Sequence, residues 1–151
     1  MKKLILIVMT LILAACASAN ALGNQSEIEQ NREKWQNAGI SHYRYHLAIS
    51  CFCVFTQDMP LIIEVQDGKV VSMEFQSGNK IDPSLTELFD KYATIDRTFT
   101  ELEAGLNGAA DEVTVKYDPT YGFPTEAKID VEKQATDDEL YLTVSNFEKL
   151  P

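Results

Sequence analysis

Two cysteines set two apart, Cys51 and Cys53, stand inside "AISCFCVF", a stretch that otherwise reads as an apolar strand. Thiols at this spacing have four uses: a disulfide, a reduced pair in the core, a redox couple, or two ligands for a soft metal such as Cu(I) or Zn(II). No third ligand is evident, so no metal site is assigned. A disulfide has a geometric requirement. In a straight strand the two Cβ atoms stand about 6.6 Å apart, at about 3.3 Å per residue. A bond needs them about 3.5–4.5 Å apart. The chain must therefore bend at Phe52, and the apolar alternation does decay after Phe55 into Thr56-Gln57-Asp58. So short a ring removes little chain entropy. Fixing a strand end is a better reason for it than stability.

The histidines and the aspartates offer less. His42 and His46 are four apart, which on a strand separates them by about 13 Å. They cannot share one ion, and by parity they face away from Cys51. Asp118, Asp130, Asp137 and Asp138 are scattered and lack the spacing of a calcium loop. "YDPTYGFP", residues 117–124, is richer. Asp118, Pro119 and Gly122 are turn formers, while Tyr121 and Phe123 bring aromatic surface to a loop. Tyr117, Asp118, Tyr121 and Phe123 are thus a candidate binding loop, with turn architecture alone as the plainer reading. The chain has no G-x-S-x-G, no phosphate-binding glycine loop and no H-E-x-x-H. No catalytic residue and no cofactor is assigned.

The compartment decides what the cysteines do. The chain opens "MKKLILIVMTLILAACASANA", a positive start followed by an apolar run from Leu4 to Ala15, broken only by Thr10. Such a run is too short to span a bilayer, which takes about 20 residues, and has the size of a secretory signal core. Leu13-Ala14-Ala15-Cys16 resembles the lipobox of bacterial lipoprotein signals. The resemblance implies cleavage before Cys16 and acylation of that residue, which anchors the chain durably in a membrane. The rival is ordinary signal cleavage after Ala19-Asn20-Ala21. Ala17 is not the Asp that resembles an inner-membrane retention signal, which favours the outer membrane, facing the periplasm, where the cell has two membranes. With Cys16 lipidated, Cys51 and Cys53 are the only thiols left, in a compartment where disulfides persist.

These boundaries give a signal peptide at 1–15, a lipidated Cys and tether at 16–25, and a single domain at 26–151. Removing residues 1–15 leaves 136 residues with 11 basic against 23 acidic side chains, a net charge near −12. That charge repels nucleic acid and anionic head groups. It suits basic partners or divalent cations, with a solvated acidic surface as the plainer reading.

The elements that position these residues follow from periodicity. Ser26 and Glu29 form a capping-box pattern for a helix ending at Gly39, with Ile28, Arg32 and Trp35 on one face. Tyr43, Tyr45, Leu47, Ile49 and Cys51 alternate against His42, Arg44, His46, Ala48 and Ser50, as in a half-buried strand. "PLIIEVQDGKVVSMEF" is a hairpin around Asp67-Gly68. Parity favours a three-residue loop, 66–68, that pairs Val65 with Lys69 and puts Leu61, Ile63 and Val65 on one face with Val71, Met73 and Phe75. Gly68 then has positive φ. Asp82 and Thr94 cap two helices, the second ending at Gly108. Three strands follow, around 113–117, 123–131 and 140–144. The order is α-βββ-αα-βββ. Short connections dictate antiparallel pairing, so the fold class is α+β: an antiparallel sheet of about six strands with helices on one face.

Tyr43-x-Tyr45, Cys51-x-Cys53, Asp67-Gly68-x-Val70, Tyr117-Asp118-Pro119-x-Tyr121-Gly122-x-Pro124, Asp137-Asp138-Glu139 and Val144-x-Asn146-Phe147 together resemble a family of bacterial secreted and lipid-anchored proteins with no assigned activity. The likeness covers roughly residues 35–148 and implies domain identity, not chemistry. More loosely, the layout is similar to small envelope accessory domains and secreted enzyme inhibitors. The expectation is a lipid-anchored envelope protein with a non-catalytic protein- or peptide-binding domain. The alternative is redox or soft-metal handling through Cys51 and Cys53, and a weaker third is inhibition of a hydrolase.

Overall fold

A computed structural model describes residue 23 and residues 25–151. The expected signal segment, Cys16 and nearly all of the tether lie outside the described residues. The first helix, α1, includes 25–37. Its apolar stripe is thin, as expected: Ile28 and Trp35 are buried, while Arg32 reaches across to the hydroxyl of Thr100 and pairs with Glu103. The expected capping box does not form. Ser26 lies inside the helix, and its hydroxyl instead accepts from Gln30 Nε2 at 3.0 Å. Residues before it already have helical backbone.

Strand β1, His42–Ser50, buries Tyr43, Tyr45, Leu47 and Ile49 and turns His42, Arg44 and His46 outward. Strands β2, Leu61–Gln66, and β3, Lys69–Phe75, form the hairpin. Its turn corrects the sequence reading. Gln66 pairs with Lys69 and Val65 with Val70, so the loop has two residues, Asp67 at φ 50° and Gly68 at φ 73°. Positive φ at both central positions is the turn that matches strand twist. The parity conflict is real but is resolved inside β3. Glu64 pairs with Ser72, which leaves Val71 as a bulge residue exposed to water. Met73 and Phe75 then return to the face of Ile63 and Leu61.

Asp82 caps a 3-10 turn, Pro83–Leu85, by accepting from the Ser84 N–H at 2.8 Å. Helix α2, Thr86–Asp90, continues from it and buries Phe89. Thr94 caps α3, Ile95–Ala104, by accepting from the Arg97 N–H at 3.1 Å. A wide π-helical turn, Gly105–Ala109, closes α3. Gly105 sits so close to Val113 that an added Cβ would lie 2.8 Å from its side chain. Strands β4, Glu112–Tyr117, β5, Pro124–Asp130, and β6, Glu139–Lys149, complete the chain. The last strand runs well past the expected Val144. A bulge there, with Asn146 at φ 50°, sets two residues against Tyr45 and turns Phe147 toward the core.

The six strands form one antiparallel sheet in the order β3-β2-β1-β6-β5-β4. The helices lie over the face that holds Tyr43, Tyr45, Leu61, Ile63, Phe75, Ala127 and Leu142. Two buried tyrosines fasten them there. The Tyr43 hydroxyl accepts from the Ile95 N–H at 3.2 Å, and the Tyr45 hydroxyl donates to the Tyr92 carbonyl at 3.1 Å. Around Tyr43, the rings of Trp35 and Phe147 close in at 5.3 and 5.6 Å.

Gly68→Val tests the hairpin. No neighbouring atom would meet an added Cβ there, so the cost is backbone strain alone. A left-handed conformation costs an L-residue about 1–2 kcal/mol, and a β-branched residue is at the upper end. Urea denaturation of Gly68→Val should show that loss, and Gly68→Asn a smaller one. Equal stability of all three proteins would refute the turn.

Candidate functional site

Three places hold the residues singled out by the sequence. The first is the end of β1. The Cys53 N–H donates to the Cys51 carbonyl at 2.7 Å. This tight turn brings the two Cα atoms to 5.1 Å, and the sulfurs are bonded. The bend falls at Phe52. Alternation persists through it: Phe55 turns inward against Phe89, with ring centroids 5.0 Å apart. Phe52 and Val54 point out and are 89% and 94% exposed. Behind them the Thr56 hydroxyl donates to the Cys53 carbonyl at 2.8 Å. The Asp58 carboxylate accepts from Ser77 and Asn79 at 3.1 and 2.7 Å. The segment is thus fixed on both sides of two apolar side chains that touch none of the core. Sequence reasoning missed Phe52 and Val54. The signal was available, since both occupy even positions, in phase with the outward-facing His42, Arg44 and His46.

The second place is the sheet face opposite the helices. No helix described here covers it. Glu64 accepts from Arg44 at 2.7 Å and from His42 Nε2 at 3.0 Å. His42 Nδ1 meets the backbone oxygen of Pro151 at 2.8 Å. With acceptors at both ring nitrogens, the doubly protonated imidazolium satisfies both. The Glu64 hydrogen bond, then that of Pro151, raises the His42 pKa above 6.5. The Arg44 bond leads in lowering that of Glu64. Lys116 of β4 pairs with Glu126 of β5 at 2.7 Å, and Lys128 with Asp130 along β5 at 3.4 Å. Tyr141 stands among them, 47% exposed. His46 Nδ1 meets Asn146 Nδ2 at 3.1 Å. Both histidines therefore lie on this face, on the side of the sheet away from the core. Among the described residues, no group of three or more His, Cys, Asp or Glu side chains is placed to hold a metal ion. No described helix is long and apolar enough to cross a membrane.

The third place is the loop from Tyr117 to Pro124. Asp118 Oδ1 accepts from the N–H groups of Thr120 and Tyr121 at 2.9 and 2.6 Å. Its backbone pairs with Phe123 and Gly122 at 2.8 and 2.9 Å. Phe123 is buried and stacks on Phe147 with centroids 4.5 Å apart. Gly122, at φ 83°, passes so near α1 that a Cβ would lie 2.5 Å from the Asn31 carbonyl oxygen. Lys34 of α1 donates to the Pro119 carbonyl. The loop clamps α1 to the sheet. Burial raises the Tyr117 pKa. Tyr117 and Tyr121 are both half-buried, and Lys149 lies over the Tyr121 ring at 5.6 Å.

The chain belongs to DUF6174, a family of unknown function, whose model matches residues 27–149. No curated protein and no solved structure matches the chain. The matched span holds the whole helical layer from within α1 onward, the bonded cysteines, the open face and the clamp.

Two predictions follow from this geometry. His42 should titrate above 6.5 by NMR, and Glu64→Gln should bring its midpoint down. The sign is that of a raised base. The contribution of His42 to stability is complete below about 6.5 and is lost as pH rises through the raised value. That of Glu64 is lost as pH falls through its lowered value. A His42 midpoint unmoved by Glu64→Gln would refute the pair. Gly122→Ala combines left-handed backbone with a clash against backbone, so it should cost about 2 kcal/mol or more. Protease cleavage within α1 should rise with it. Unchanged stability would mean that the loop does not press on α1.

Proposed function

We propose that this DUF6174 protein is a lipid-anchored protein of the bacterial cell envelope whose folded domain binds another protein or peptide without catalysing a reaction on it. The anchor is Cys16. Its support is the sequence: a short apolar run ends in Leu13-Ala14-Ala15 immediately before it. Ala17 favours the outer membrane, facing the periplasm, in a cell with two membranes.

The observation that carries the binding role is the open sheet face. Six strands present side chains of both signs and an exposed Tyr141 there. Tyrosine supplies large contact area at low entropic cost. Charges such as Arg44, Lys116 and Lys128, each beside a carboxylate, suit a partner with a matching pattern. The net charge near −12 of the chain from Cys16 onward steers basic partners toward the domain. A second reading, redox or soft-metal handling by Cys51 and Cys53, is favoured by one observation: the bonded pair is half-exposed at the sheet end. Measuring the pair's reduction potential and Cu(I) affinity separates the two readings.

Cys16→Ser should abolish acyl labelling and move the protein to the soluble fraction. Retention in the membrane at the parent level would sink the anchor. For the binding role, a photoreactive residue at Thr143 should cross-link a discrete basic protein in intact envelopes. Tyr141→Ala should lower that yield about tenfold, as expected for loss of about 1.4 kcal/mol. Products only from residues on the helical face would refute the open face as the interface.

A further inference from the structure

We propose that the Cys51–Cys53 end of the sheet docks on the membrane surface that holds the protein, with Phe52 and Val54 entering the boundary between head groups and acyl chains. This rests on the Cys16 anchor proposed above.

The position of the tether is the first argument. Gln25 donates to the Asn107 side chain at 2.5 Å. Asn107 belongs to the π-helical turn whose Gly105 abuts Val113. Val113 is level with Ile129, and Ile129 with Leu140. Leu140 lies one residue beyond the Ser50–Tyr141 pair, level with Cys51. The chain therefore enters the domain near the sheet end that carries Phe52 and Val54. Eight residues lie between Cys16 and Gln25, so nine steps give a reach of at most about 32 Å at 3.3–3.6 Å each. The strands from β1 to β4 are only about 14 Å across, at 4.7–4.9 Å per step. An anchored Cys16 leaves this end within reach of the bilayer. Tethering gives even a small apolar contact a high effective concentration.

Size and shape favour lipid over a protein partner. Phe52 and Val54 form a protruding tip, not a pocket. One aromatic side chain buries about 150–250 Å², so the pair offers well under the roughly 800 Å² that each side of a stable protein interface needs. The same two side chains suffice as a shallow wedge beside a lipid anchor. The flanks set the type of membrane. Asp111, Glu112, Glu132, Asp137, Asp138 and Glu139 crowd the β4–β5–β6 side of this end, and the nearby Lys133 is already paired with Glu112. Anionic head groups are repelled there, so the surface it fits is zwitterionic. Docked in this way, the strands run away from the bilayer and the open face is presented sideways.

The test uses acylated protein purified from membranes and reconstituted into zwitterionic vesicles with brominated acyl chains, which quench tryptophan on contact. The parent has one tryptophan, the buried Trp35. Phe52→Trp places a second at the tip, where Phe52 is 89% exposed and the core is left untouched. The added emission should fall about twofold or more at the depth such side chains reach, while the parent emission stays unchanged. Anionic lipid at low salt should reduce the quenching, and salt should restore it. Vesicle-bound Phe52→Trp without quenching overturns the docking and leaves the anchor standing. A tip cross-linked to an envelope protein rather than to lipid overturns it too. Membrane-purified protein whose Cys16 carries no acyl group overturns the anchor and this inference together.

Discussion

The pairing of β1 with β6 sets Arg44 opposite Glu148 and Ser50 opposite Tyr141, joining the first strand of the sheet to the last. Without it the chain is two three-stranded meanders, each with one unpaired inner edge and half a hydrophobic face. With it, β1 becomes interior, and Tyr43 and Tyr45 can act as the hub of the molecule. The Tyr43 ring packs among Trp35, Phe147 and Tyr45, and the two hydroxyls take up one N–H and one carbonyl from the junction at the start of α3. Burial raises both phenol pKa values, so both stay neutral hydrogen-bonding groups. An unpaired buried N–H or C=O costs about 1–3 kcal/mol, which is why a tyrosine, not a phenylalanine, is needed at each place. The bulge at Asn146 belongs to the same arrangement. Without the extra residue, Phe147 would fall on the water side and the aromatic cluster around Trp35 would lose its floor.

Much of this was legible in local pattern. The alternation in β1, the caps at Asp82 and Thr94 and the positive φ at Gly68 each depend on a few neighbouring residues, and the antiparallel sheet with one helical face follows from short connections. What failed depended on distant contacts. The parity of the hairpin correctly demanded one extra residue, but a turn and a bulge satisfy parity equally well. The two-residue turn suits strand twist better, so the extra residue is Val71 on an edge strand, where a bulge disturbs only one neighbour. Likewise Ser26 and Glu29 match a cap pattern, yet α1 includes the residues before them. The length of β6 was unreadable because its last turn inward serves Trp35 and Phe123, which are remote in sequence.

The candidate sites divide in the same way. Tyr117, Asp118, Tyr121 and Phe123 read as a candidate recognition loop because aromatics and turn formers coincide there. In the fold the carboxylate of Asp118 is used within the loop and Phe123 is core. The absence of a side chain at Gly122 lets α1 lie against the loop. Turn chemistry was visible, but its target, α1, was not. Conversely, Phe52 and Val54 were absorbed into an apolar stretch, although their parity already placed them outside. Hydrophobicity gave the wrong answer where periodicity gave the right one, because the inward phase of this stretch packs Phe55 against Phe89 while Phe52 and Val54 fall in the outward phase, which no described helix covers.

The bonded cysteines connect these points. Their ring is too short to contribute much through chain entropy, so its effect has to be directional. The turn at Phe52 stops β1 level with the start of β6 and holds Phe55 inward while Phe52 and Val54 remain out. In a flexible strand end those two side chains would fold back onto the nearest apolar surface, the rim beside Phe89. Held outward, they remain available at the sheet end near which Gln25 contacts the domain. Under the proposed lipid anchor, one point of attachment would leave the orientation of the domain free, and an open face would then meet a partner in every direction. In the reading proposed here, a second contact at that end removes this freedom. The entropy lost in orienting the domain is then spent once, at the membrane, and does not have to be supplied again each time a partner meets the open face.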